Sequence, residues 1–141
     1  MPTLILDTNV LVAGLRSSLG ASHALLRLIG SDRFTLGLTT AMVLEYEAVC
    51  TRSLDALSLT AEDLGVLLDY LCAVGKRAVV RFRLRPSIAD PGDEMVLEAA
   101  VATGSEWVVT HNVRDLAAGA ARFGIEVLTP GEALRRLGGA K

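Results

Sequence analysis

Asp7, Glu45, Asp93 and Asp115 share one kind of place in the chain: each stands at, or soon after, a point where an apolar strand-forming run gives way to a helix-forming one. In a parallel α/β sheet those junctions lie on a single rim, where such folds build their ligand crevices. Asp7 breaks the run Leu4-Ile5-Leu6 and is followed by Thr8 and Asn9, which can hydrogen-bond an oxygen ligand or the aspartate itself. Glu45 lies early in the helix after the second strand, Asp90, Asp93 and Glu94 open a later helix, and Asn112 and Asp115 follow the fourth strand. One acid in a first helical turn is explained by the helix dipole alone. Repetition at successive junctions, with Asp7 closing a buried strand, points instead to a site.

Several carboxylates in one place repel each other and cannot all ionise cheaply without a cation. A donor set made of oxygens, with no clustered His or Cys, argues for Mg²⁺ or Mn²⁺ over zinc. That chemistry suits cleavage of phosphate esters, where a cation neutralises charge building on phosphorus and activates water. The histidines stand outside this set. His23 reads as a surface or packing residue on an amphipathic helix; His111 stands beside the rim, either as a solvated loop residue or in touch with substrate.

The elements that must position these groups alternate. Leu4 to Leu6 reads as the first strand, and its unbroken apolar character suits the centre of a sheet covered on both faces. Helices are expected from Val10 to Arg16 and from His23 to Ile29, the second capped by Ser22, with Ser17-Ser18-Leu19-Gly20 as the loop between them. Phe34 to Leu38 is a second strand, and Thr39 or Thr40 caps the helix that carries Val43, Tyr46 and Cys50. After a connector over Ser53 to Leu59, Thr60-Ala61-Glu62-Asp63 resembles a capping box opening an amphipathic helix to Gly75.

Val79 to Leu84 is read as a third strand at a sheet edge, with Arg81, Arg83 and Arg85 on one face. That face is either solvated or, through Arg81 and Arg83 together with Arg114, a contact for phosphate. Met95 to Ala102 is the next helix, Trp107 to Thr110 and Ile125 to Leu128 are strands, and Arg114 to Phe123 is loop or short helix. Thr129-Pro130-Gly131-Glu132 is a second capping box, with Pro at the first helical position. Strands alternating with helices define an α/β class with a mostly parallel, roughly five-stranded sheet, folded as one domain over residues 1–141.

Composition narrows the setting. At 141 residues and 51% apolar content the chain can bury a sizeable core. No apolar run reaches the roughly 18 to 20 residues that span a bilayer, and no secretory leader pattern is present, so no membrane role and a cytoplasmic location are expected. Cys50 and Cys72 fall among helical apolar residues and read as reduced thiols. A net charge of −2 excludes a broad basic field of the kind many nucleic-acid binders carry.

Ile5-Leu6-Asp7-Thr8-Asn9-Val10-Leu11 resembles the opening signature of PIN-domain ribonucleases, and Leu44-Glu45-Tyr46-Glu47-Ala48-Val49 resembles the helical glutamate motif that follows it. The stretch from Asp90-Pro91-Gly92-Asp93-Glu94 to Ala100 is similar to the third acidic motif, and Val109 to Leu116 to the fourth, in the right order across nearly the whole chain. The nearest subgroup is that of bacterial VapC-like toxins of toxin–antitoxin pairs. The resemblance implies a three-layer α/β/α sandwich and a Mg²⁺- or Mn²⁺-dependent endoribonuclease. It also implies a homodimer inhibited by a small antitoxin. Carried over by position, it makes Asp7, Glu45 and Asp93 the acidic core, with Asp115 as a further catalytic and metal-binding residue and Asn9, Asn112 and Asp90 as auxiliary groups. Asn112 stands where many relatives have an acid, and Gly92 occupies another position that is often acidic.

Two other functions compete with cleavage of single-stranded RNA. One is a PIN-like module that binds RNA or protein without cutting; a pure binder has no need for a repulsive acidic cluster. The other is a Mg²⁺-dependent phosphatase-type domain, whose common pattern wants an aspartate where this chain has Asn9.

Overall fold

A computed structural model describes residues 1–81 and 91–138 of the chain. Five strands, β1 (Thr3–Leu6), β2 (Thr35–Leu38), β3 (Lys76–Arg77), β4 (Trp107–Val109) and β5 (Glu126–Leu128), form one sheet in the order β3-β2-β1-β4-β5. Every pairing is parallel. The chain winds outward from β1 through β2 to β3, then returns across the sheet to β4 and β5. The two directions part between β1 and β4, the topological switch point at which such sheets bind ligands.

The helices are α1 (Thr8–Arg16), α2 (Ala21–Leu28), α3 (Thr40–Thr51), α4 (Leu54–Leu57), α5 (Ala61–Val74), α6 (Pro91–Thr103), α7 (Val113–Ala121) and α8 (Pro130–Arg136). Right-handed crossovers send the connections on the two sides of β1 to opposite faces of the sheet. Side chains agree. A Cβ on Gly37 would lie 2.8 Å from Thr103 Oγ1 of α6 and 2.8 Å from Ile5 Cδ1, whereas neighbouring Leu38 points at the end of α5, beside Gly75. Glycine at 37 is therefore what lets α6 sit down on β2.

Leu4, Ile5 and Leu6 are all buried, as a central strand covered on both faces requires. Around them, Leu36, Leu38, Met42, Tyr46, Leu71, Leu97, Val108, Val109 and Leu116 make one continuous core. Both expected capping boxes form: Thr60 with Asp63, and Thr129 with Glu132, each bonding in both directions. These backbone hydrogen bonds hold the Asp63 and Glu132 carboxyls below their ordinary range. Among the described residues no helix is long and apolar enough to cross a membrane.

Two expectations are corrected. The third strand is Lys76–Arg77: α5 ends at Gly75 in extended backbone, and pairing with Gly37 and Leu38 begins at once; of the expected Val79 to Leu84, residues 79–81 are not strand and 82–84 lie outside the described residues. It does lie at the sheet edge. Arg81 is exposed and outside any strand, and Arg83 and Asp90 lie outside the described residues. Ser22 does not cap α2; Gly20 holds that position, with a φ of 102° that favours glycine, and Ser22 lies inside the first turn. The segment read as loop or short helix after β4 takes the second form, as α7.

Candidate active site

Asp7 ends β1 at the switch point and begins α1, its carbonyl accepting the first helical hydrogen bond from Val10 at 2.9 Å. Its backbone N–H still belongs to the sheet, donating to Val109 of β4 at 2.9 Å. The aspartate is thus fixed by both elements at once. Its side chain is met from β4: the Thr110 hydroxyl donates to Oδ2 at 2.8 Å, and Asn9 Nδ2 stands 3.5 Å from the same oxygen. Asn9 Nδ2 also donates to Thr110 Oγ1 at 3.3 Å, while Asn9 Oδ1 accepts from the His111 backbone at 3.2 Å. Thr110 Oγ1 in turn accepts from the Asn112 backbone at 3.0 Å. Asp7, Asn9 and Thr110 form one polar knot binding the ends of β1 and β4.

Thr110, wholly buried, is a site residue that the sequence reading passed over. The signal available was a small hydroxyl closing an apolar strand directly before His111-Asn112. Tyr46 is a second. It is buried on α3, one residue past Glu45, and its hydroxyl donates to the Leu6 carbonyl immediately before Asp7. That bond anchors the second turn of α3, and with it the half-buried Glu45, beside the end of β1. Burial above all, then the nearby Asp7 carboxylate and Cys50, push the Tyr46 hydroxyl far above its ordinary pKa. Folded Tyr46 therefore keeps its proton at a pH where the unfolded chain releases one.

A group whose pKa is raised by folding contributes stability that is complete below the unfolded value, about 10 for tyrosine, and is lost as pH climbs above it. Tyr46→Phe is expected to lower stability at neutral pH by about 1 kcal/mol and to flatten the alkaline decline by up to about 1.4 kcal/mol per pH unit. Denaturant midpoints between pH 8 and 11.5 check this; parallel curves for the two proteins would count against the assignment.

Asp93 lies half-buried in the first turn of α6, and α6 packs on β1, β2 and α3. Glu45 on α3 and Asp7 at the head of α1 are carried by helices that also pack on each other. Asp115 and Asn112 are exposed, Asp115 in the first turn of α7 and Asn112 at its cap position without a capping side-chain bond. Arg114, beside them, is exposed too. Among the described residues no three acidic, histidine or cysteine side chains come together in a group that could hold a metal ion.

Asp7 and Glu45 are nonetheless oxygen donors of the kind a hard divalent cation takes. Both are half-buried carboxylates without an ion-pair partner among the described residues; the ion pair Arg136–Glu126 joins α8 to the edge strand β5. Asp7 meets only neutral donors, and its Oδ1 takes no hydrogen bond from the described residues. The buried Thr8 hydroxyl, next in the chain, is the one buried side-chain polar atom without a partner among them. Unpaired oxygen at such a point is the environment a cation would satisfy.

The chain is a doubly wound parallel α/β protein with an aspartate at its switch point and further acids on α3 and α6. The family profile of the PIN domain matches residues 3–114, and the chain belongs to that family. No curated protein matches the chain. Two solved structures share the fold. One is VapBC2 from Rickettsia felis bound to a DNA fragment from the promoter, with 15% identity and a TM-score of 0.60 over 90% of this chain and 98% of that one. The other is VapBC-1 from nontypeable Haemophilus influenzae, at 12% identity and a TM-score of 0.56 over 92% and 98% of the two chains.

Proposed function

We propose that this PIN-domain protein is a metal-dependent endoribonuclease that cuts single-stranded RNA, and that it is the toxin of a toxin–antitoxin pair. The observation that carries the reading is Asp7: a half-buried carboxylate at the switch point, held by Thr110 and Asn9 and left without a protein counter-ion among the described residues. Asp7, Glu45 and Asp93 would hold Mg²⁺ or Mn²⁺, with Asp115 as a further ligand and Asn9, Asn112 and Asp90 in support. The cation would supply charge neutralisation at the phosphodiester. The chain's own part is positional. Thr110 and Asn9 orient the Asp7 carboxylate, Tyr46 anchors the helix that bears Glu45, and exposed Arg81 and Arg114, with Arg83, offer contacts to phosphate.

The VapBC likeness in fold supports an antitoxin protein as partner; a homodimer and a cytoplasmic setting belong to the same proposal. Purified protein is expected to cut single-stranded RNA with Mg²⁺ or Mn²⁺ and to stop when EDTA is added. Cleavage that continues undiminished in EDTA would defeat the metal-dependent reading. Expression should arrest a host that lacks the antitoxin, and co-expression of a short reading frame from beside this one should relieve the arrest.

A further inference from the structure

A cleft of about 420 Å³ opens beside the Asp7 knot, between the α1–α2 loop, His111 and the β5–α8 junction. Its walls include Ser17, Leu19, Ser22, His111, Pro130 and Gly131, and no charged side chain lines it. Ser22, only 8% exposed, shares a 3.2 Å hydrogen bond with Nε2 of the otherwise exposed His111 ring. The serine is itself held firmly. A Cβ on Gly14 of α1 would stand 2.5 Å from Leu26 Cδ1 and 3.0 Å from the Ser22 carbonyl, so α2 lies hard against α1. His23 fastens the same pair of helices by donating Nδ1–H to the Gly14 carbonyl at 3.0 Å. At the other side, the His111 backbone is fixed to Asn9, and Asn9 reaches Asp7.

A ring tethered through one nitrogen keeps its faces and its other nitrogen for a ligand. The cleft has the size of a small-ligand pocket and a partly apolar lining with no lysine or arginine to pair a phosphate's charge. Unpaired bases, in contrast, are bound by stacking on flat side chains, with histidine among them. We propose that His111, held by Ser22, forms a subsite for one unpaired nucleobase flanking the phosphodiester that the Asp7 site cuts. This inference rests on the ribonuclease reading. It assigns His111 to substrate contact and Ser22 to positioning the ring.

The test uses a single-stranded oligoribonucleotide and copies of it with one abasic residue at successive positions around the cut. In the wild-type protein one flanking position should lower kcat/KM by about tenfold when its base is removed. His111→Ala should cut the intact oligomer about tenfold less well, mainly through KM, and become indifferent to that base. His111→Phe, which restores a flat ring, should recover much of the discrimination, and Ser22→Ala should raise KM while leaving kcat near wild type. Thermal melts confirm that each variant is folded. If the wild-type protein cuts RNA and His111→Ala keeps the same dependence on every base, the subsite is wrong and the nuclease stands. If no base position matters to the wild-type protein, the subsite is equally wrong. If it neither cuts nor binds RNA with Mg²⁺ or Mn²⁺, the nuclease reading fails first and the subsite with it.

Discussion

Asp93→Asn is expected to cut RNA at least about a hundredfold more slowly than the wild-type protein while folding as well. The substitution preserves the shape of the side chain and its place in the first turn of α6, and removes only the charge. Two roles for Asp93 make different demands. As a helix-start residue it favours the α6 dipole, and losing that costs a few tenths of a kcal/mol of stability, about 0.3 to 1 at most on an exposed surface. Cleavage would then be nearly intact. As one of the carboxylates holding a cation, it stabilises charge that develops only in the transition state, and its loss costs about 3 kcal/mol or more of activation free energy. RNA affinity should change far less, because exposed Arg81 and Arg114 remain. Single-turnover cleavage beside an RNA-binding titration separates the outcomes. A fully active Asp93→Asn protein would return Asp93 to its helix.

What was legible in the sequence was mostly local. Thr60 with Asp63 and Thr129 with Glu132 are partners three residues apart, and their capping boxes formed as read. The central strand announced itself because Leu4, Ile5 and Leu6 are apolar on both faces, and the α/β class followed from alternation. The third strand failed for a local reason of another kind. Lys76 and Arg77 are both exposed and carry no apolar signal, so the pattern favoured the more apolar Val79 to Leu84 instead.

The contacts that shape the site were out of reach because they join distant parts of the chain. Tyr46 meets Leu6 across 40 positions, Thr110 meets Asp7 across 103, and Ser22 meets His111 across 89. No periodicity encodes such pairs; only the strand order that brings β4 against β1 does. The acidic residues themselves were visible as a repeated choice at successive strand–helix junctions. Where each of them ends up depends on helix packing, in which α3 lies against both α1 and α6.

Asp7→Asn is expected to have the second large effect, and on binding as well as on rate. Asparagine can still accept from Thr110, so the link between β1 and β4 survives while the negative charge is lost. A cation that binds the folded protein and not the unfolded chain raises stability by mass action, by about 2.7 kcal/mol at a hundred times its dissociation constant. That gain should shrink in Asp7→Asn, and cleavage should fall at least about a hundredfold, as for Asp93→Asn.

The central claim is that Asp7, with Glu45 and Asp93, holds the divalent cation used for cleavage, and a Mn²⁺ titration tests it without relying on activity. Free Mn²⁺ gives a sharp electron paramagnetic resonance signal that bound Mn²⁺ loses. Wild-type protein should deplete that signal saturably, and Asp7→Asn should do so at least about tenfold more weakly, a difference of about 1.4 kcal/mol. Equal depletion by the two proteins, or none by either, would contradict the account.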